Sequence, residues 1–171
     1  KHGIALYAFH TNLDNVDTGV NAEIGRRLGV EHMRVLGPEQ GQLRKLTVFV
    51  PTDHVEVVRT ALFAAGAGQI GRYDECSFTV QGQGTFRAGM GTGPFVGEVG
   101  LRHTEPETRI EMIMPVHAEQ AVVAALVKAH PYEEVAYDLV PLANAHQGIG
   151  SGMIGEVGTP VEEATFLARV K

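Results

Sequence analysis

Val48-Phe49-Val50-Pro51 and, sixty-four positions further on, Met112-Ile113-Met114-Pro115 are two apolar strands that each run into a proline. Val58, Ala61 and Leu62 follow the first, and Val122, Ala125 and Leu126 follow the second, so each strand leads to a helix with the same V-x-x-A-L face. Proline stops a strand ladder, and its fixed φ helps turn the chain into the helix. Asp53 and Glu56 have capping-box spacing for the first helix, and Gly66 sits where a helix stop is expected. The second helix should end before His130-Pro131, because proline disfavours helical geometry at the residue before it. Strand material comes after each helix: Ser77–Val80 and Thr85–Arg87 around the turn Gln81-Gly82-Gln83-Gly84, then Val135–Val140. Two βαβ halves in sequence predict a ferredoxin-like α+β domain, a four-stranded antiparallel sheet with both helices on one face.

On either side of this repeat the pattern is different. The run Ile4-Ala5-Leu6-Tyr7-Ala8-Phe9 reads as a strand buried on both faces, ending at His10 and the turn-forming Thr11-Asn12-Leu13-Asp14. His10 and Asp14 are thereby delivered to a strand exit, where α/β sheets place their sites. Imidazole with carboxylate suits zinc, iron, manganese or nickel better than calcium. The alternative is structural, with His10 hydrogen bonding at the strand end and Asp14 capping the next segment of chain. Val20, Ile24 and Leu28 predict a helix stopped by Gly29, and Met33–Leu36 a short strand closed by Gly37-Pro38. Beyond Ala143, Met153–Val157 is strand-like and Thr159-Pro160-Val161-Glu162 has the composition of a helix start. This strand and helix should join those of the first segment. The expected division is residues 1–44 and 143–171 as two segments of an α/β core, with residues 45–142 inserted between them.

The 171 residues carry 14 Lys and Arg against 20 Asp and Glu, a formal charge of −6, which argues against nucleic acid or an anionic membrane surface as partner. One cysteine excludes an internal disulfide framework and fits a reducing compartment. No apolar run approaches the roughly 20 residues of a membrane span, and the opening residues lack a signal-peptide pattern, so a cytoplasmic location is expected. The start at Lys1 without methionine, and the finish within an amphipathic segment, suggest a piece of a longer protein. Ten of the 21 glycines fall between Gly66 and Gly100, without a phosphate-loop pattern, and suggest an irregular excursion.

His130, Glu133, Glu134 and Asp138 could form a second ligand cluster. The structural reading is favoured, with His130 ending a helix and the glutamates solvated or paired with basic residues. His54 and His117 lie at helix starts, where a neutral imidazole can cap, and Cys76 reads as a buried structural thiol.

Three segments together resemble one family: HTNLD at His10–Asp14 with GVN at Gly19–Asn21, HPYEEVAYDLV at His130–Val140, and GIGSGMIGEV at Gly148–Val157. They are similar to the GTP cyclohydrolase I type 2 homologues, the Nif-three-like dinuclear-metal-centre hexameric proteins, in the subtype with an inserted PII/CutA-like ferredoxin-like domain. The resemblance implies a toroidal homohexamer with two divalent metal ions per subunit and metal-dependent hydrolase chemistry. Of that family's ligands only the aspartate of HTNLD maps here, as Asp14, with His10 beside it as support; the other histidines and the glutamate have no counterpart in these residues. It leaves an alternative, a non-catalytic oligomeric module that senses a small molecule through the inserted domain.

Overall fold

The computed structural model describes Gly3, residues 5–8 and residues 10–171. In chain order the elements are α1 (Val20–Leu28), β1 (Val30–Glu39), β2 (Leu43–Pro51), α2 (Val55–Ala64), β3 (Phe78–Arg87), β4 (Arg102–Pro115), α3 (Glu119–Ala129), β5 (Tyr137–Pro141), β6 (His146–Val157) and α4 (Glu163–Val170). They fall into two compact units, Gly41–Asn144 and the pair of segments Lys1–Gln40 and Ala145–Lys171.

The unit Gly41–Asn144 is a four-stranded antiparallel sheet in the order β3-β4-β2-β5. Alternation along a strand sends every second side chain to one face. Leu46, Val48 and Val50 of β2 and Ile110, Met112 and Met114 of β4 are buried in one cluster with Val58 and Leu62 of α2 and Val122 and Leu126 of α3. Both helices therefore cover the same face. The sequence repeat is carried into the structure, because Pro51 and Pro115 each end a strand and a single 3-10 turn leads into the helix. Asp53 lies inside the first of these turns and makes no capping bond, so the 3-10 turn replaces the expected capping box. At the other end of α2, Gly66 at φ +102° lets its own N–H reach the Phe63 carbonyl and that of Ala67 reach Leu62, the paired bonds of a glycine stop. His130 ends α3 in an extended conformation ahead of Pro131, as the proline requires.

β3 corrects the sequence reading. Phe78–Arg87 is one unbroken strand, paired residue for residue with β4 from Phe78↔Glu111 to Arg87↔Arg102, and Gln81–Gly84 is not a turn. Gly84 serves close packing instead. A Cβ on Gly84 would stand 2.0 Å from Glu107 Oε2, so the bare position makes room for a carboxylate from the next strand.

In the other unit β1 and β6 pair antiparallel from Val30↔Val157 to Glu39↔His146. β1 is longer than expected and runs through Gly37 and Pro38, with a register shift after Pro38. Opposite, a Cβ on Gly150 would meet the Gly37 carbonyl at 2.1 Å, so glycine permits the two backbones to approach there. α1 and its stop at Gly29 lie where the apolar period placed them. α4 begins at Glu163 rather than at Thr159, without a side-chain cap.

The strand expected at residues 4–9 does not form where it can be described. Residues 5–8 take no regular structure and Leu6 is 92% exposed; Ile4 and Phe9 lie outside the described residues. A strand buried on both faces needs neighbours on both sides, and the sheet of this unit consists of β1 and β6 paired with each other. No helix among the described residues is long and apolar enough to cross a membrane.

The core of the four-stranded unit makes a direct prediction. Leu62→Ala and Leu126→Ala should each destabilise the chain by roughly 2–5 kcal/mol, as for buried leucines generally. Val57→Ala, on the exposed side of α2, should change stability by less than about 0.5 kcal/mol. Chemical denaturation of the three variants measures the difference.

Candidate functional site

The loop before α1 holds the two residues expected to bind metal. Asp14 is half-buried in a tight turn, its N–H donating to the Thr11 carbonyl at 3.1 Å. Its own carbonyl accepts from Asn21 Nδ2 at 2.7 Å. Val20 N–H donates to the Leu13 carbonyl at 3.1 Å, and a Cβ on Gly19 would lie 1.8 Å from that same oxygen. Gly19 and Asn21 thus accompany HTNLD for a structural reason: one clears the approach and the other clamps the turn. The loop is also tied to β6, with Asp17 N–H donating to Gly148 O at 3.0 Å and Gly150 N–H to Asn15 O at 2.9 Å. His10 is exposed. Among the described residues no group of three or more His, Cys, Asp and Glu is placed to hold a metal ion. Asp14 and His10 are two donors of one turn, fewer than the four ligands of a closed site.

A second site lies on the face of the four-stranded sheet that the helices leave uncovered. A cleft of about 620 Å³ is floored by Phe49, Val80, Glu107 and Arg109 and walled by Phe86, Pro94, Phe95 and Tyr132. The loop that comes after α3 builds one wall. His130, 6% exposed, shares its Nε2 with the Phe49 carbonyl at 3.0 Å, and its Nδ1 accepts the Tyr132 N–H at 3.1 Å. An Nδ1 that accepts fixes the proton on Nε2, so the imidazole is neutral and both nitrogens are engaged. Burial holds its pKa below the usual value, against the opposing pull of the Phe49 carbonyl and helped by the charge of His54.

Tyr132 turns back over the sheet and donates its hydroxyl to Glu107 Oε1 at 3.1 Å. Burial, then the Glu107 hydrogen bond and charge, push the phenol well above its ordinary range, so it remains a donor. The Tyr132 ring packs 6.0 Å from Phe86 and 6.1 Å from Phe95. Glu133 accepts the Gly93 N–H with both oxygens, at 3.1 and 3.2 Å, which pins the 88–100 excursion beside the cleft.

The ligand cluster considered for His130, Glu133, Glu134 and Asp138 is not assembled. His130 has both nitrogens occupied, Glu133 is spent on a backbone amide, and Asp138 is exposed on β5 opposite Thr47. The expectation that His54 caps a helix also fails: its ring stands edge-on to Phe95 at 5.4 Å, and α2 has no side-chain cap bond. Sequence reasoning missed Glu107 and Phe49. The available signal was Gly84 in a β-rich run, a position that can mark a strand against which something packs closely.

Two α/β units, one with a helix-free sheet face bearing a cleft, define the class of protein. The chain belongs to the Duf34/NIF3 (NGG1p interacting factor 3) family, whose model matches residues 1–171. It is 45% identical over 172 residues to the GTP cyclohydrolase 1 type 2 homolog of Halalkalibacterium halodurans, covering 100% of this chain and 46% of that protein. The homolog of Bacillus subtilis is 43% identical over the same span. Among solved structures, the Bacillus cereus protein related to NIF3 superposes with a TM-score of 0.79 at 41% identity, over 94% of this chain and 42% of that one. Staphylococcus aureus protein SA1388, at 21% identity and a TM-score of 0.51, shares the fold over 94% of this chain and 40% of its own. The chain thus spans about half the length of the curated relatives it matches, 46% in each of these two cases.

The state of His130 sets a pH dependence. Its folded pKa lies below the ordinary 6.5, so the unfolded chain takes up a proton first as pH falls. Its contribution to stability is therefore full above about 6.5 and is lost as pH drops from there through the folded pKa. Denaturation midpoints between about pH 8 and 5 should fall in the wild type and fall less steeply in His130→Gln; parallel slopes would contradict this.

Proposed function

We infer that this chain is part of a metal-binding NIF3-family protein with dinuclear, metal-dependent hydrolase chemistry, in which Asp14 is a ligand and His10 supports it. The observation that carries the reading is the state of Asp14. Its backbone N–H and carbonyl are both committed to the turn, while its carboxylate has no hydrogen bond among the described residues. That leaves a half-buried anion on a fixed backbone, the kind of group that serves as a ligand. The residues described do not complete a centre by themselves, so the remaining donors belong to other parts of the protein on this reading. Two divalent ions would supply Lewis-acid activation of an oxygen in the substrate. The same reading takes Gly41–Asn144, with its βαββαβ order and two helices on one face, as an inserted ferredoxin-like domain of PII/CutA-like kind, and takes the assembly as a toroidal homohexamer.

A second reading is supported by the cleft on the sheet. There the protein is a non-catalytic module that senses a small molecule through Gly41–Asn144, and the cleft's volume lies within the roughly 300–1,000 Å³ of small-molecule sites.

Metal content of the full-length protein separates the two. About two divalent ions per subunit in the wild type, falling by half or more in Asp14→Ala with unfolding unchanged, is the result expected. A metal-free wild type, or full occupancy in Asp14→Ala, would refute the ligand role.

A further inference from the structure

We propose that the cleft on the open sheet face binds a small organic cation, an amidinium or guanidinium group carried on a flat apolar body. The proposal rests on the second reading above, that Gly41–Asn144 takes up a small molecule, and names the chemistry of that molecule. It begins with Glu107. The residue is only 9% exposed, yet it lines the cleft. Its Oε1 accepts the Tyr132 hydroxyl, whereas its Oε2 has no donor among the described residues and lies against the bare backbone of Gly84. A carboxylate held in such surroundings calls for an N–H donor, and a charged one most strongly.

Two arginines line the cleft and neither pairs with Glu107; Arg87 makes no ion pair among the described residues. Arg109 is drawn to Glu111 on the same strand, where it shares the carboxylate with Lys45. Glu107, Glu133 and Glu134 face Arg87 and Arg109 in the lining, a balance that leans negative and disfavours an anionic ligand. The walls complete the description. Phe86 and Phe95 flank Tyr132 at 6.0 and 6.1 Å with their planes tilted, which leaves aromatic surface along which a flat cation can stack. Amidinium and guanidinium groups offer two parallel N–H donors that match a carboxylate, and their planar shape suits stacking on an aromatic face. The bonds of Gly93 to Glu133 hold the excursion that carries Phe95 in place, so the site is largely preformed.

Benzamidine is the probe, with benzamide as its neutral isostere and benzoate as its anion, each titrated calorimetrically into the full-length protein. Benzamidine should bind at least about tenfold more tightly than either, and Glu107→Gln should abolish that preference, since each 1.4 kcal/mol is tenfold. Equal or tighter binding of benzamide or benzoate, lost in Glu107→Gln, would overturn the ligand class while leaving the cleft a binding site. No binding of any probe, or benzamidine affinity unchanged in Glu107→Gln, would overturn the cleft itself. Should Glu107→Gln fail to fold, Phe95→Leu removes an aromatic stacking face of the same cleft instead. A loss of roughly threefold to tenfold is then expected, and an unchanged affinity refutes the proposal.

Discussion

The hydrogen bond from the His130 imidazole to the Phe49 carbonyl, 3.0 Å long, decides how one face of the larger sheet is organised. Phe49 sits on β2 just beyond the last residue paired with β5, and its N–H is taken by the Ala136 carbonyl at 3.4 Å. The loop between α3 and β5 is thus fastened to β2 at both polar atoms of one residue. Because Tyr132 N–H donates to the same imidazole, the ring of Tyr132 is delivered over the sheet rather than away from it. Tyr132 then reaches Glu107, and Glu133 reaches Gly93. Each later bond begins from the position of that loop.

The two faces of this sheet are stabilised differently. The helix-covered face is an apolar cluster in which Leu46, Val48, Ile110 and Met114 are fully or almost fully buried. Burial there is non-directional and tolerates many sequences. The open face depends on a few directional bonds to a buried imidazole, a buried carboxylate and a phenol, each costly to leave unpaired. The first face makes the unit fold; the second gives it a cleft of defined shape. Ion pairs such as Lys45 with Glu111 bridge neighbouring strands and are partly exposed, so they add modestly at best.

Much of this could be read from the residues. The repeat of Pro51 and Pro115, with Val58 and Leu62 echoed by Val122 and Leu126, announced two strand-helix units because burial on one helix face leaves a periodic trace. Gly29 and Gly66 marked helix ends because a left-handed backbone has few alternatives to glycine. Three segments sufficed to point to the family. The failures share a cause, since local composition does not say what lies opposite. Residues 5–8 look like part of a buried strand but pair with no strand among the described residues, and Gln81–Gly84 looks like a turn until Glu107 is placed over Gly84. His130 ends α3, as the favoured structural reading had it, but its partner Phe49 and the Gly93 amide that Glu133 accepts are too far away in sequence to be read from it.

The open face is built on His130 as a neutral clamp, protonated on Nε2. Nitrogen NMR of the imidazoles in histidine-labelled protein, with His130 assigned by its loss in His130→Gln, tests this directly. A bare Nδ1, a protonated Nε2 and a ring that stays neutral to below the ordinary 6.5 are the result predicted. Titration at that ordinary value, or a proton resident on Nδ1, would contradict it.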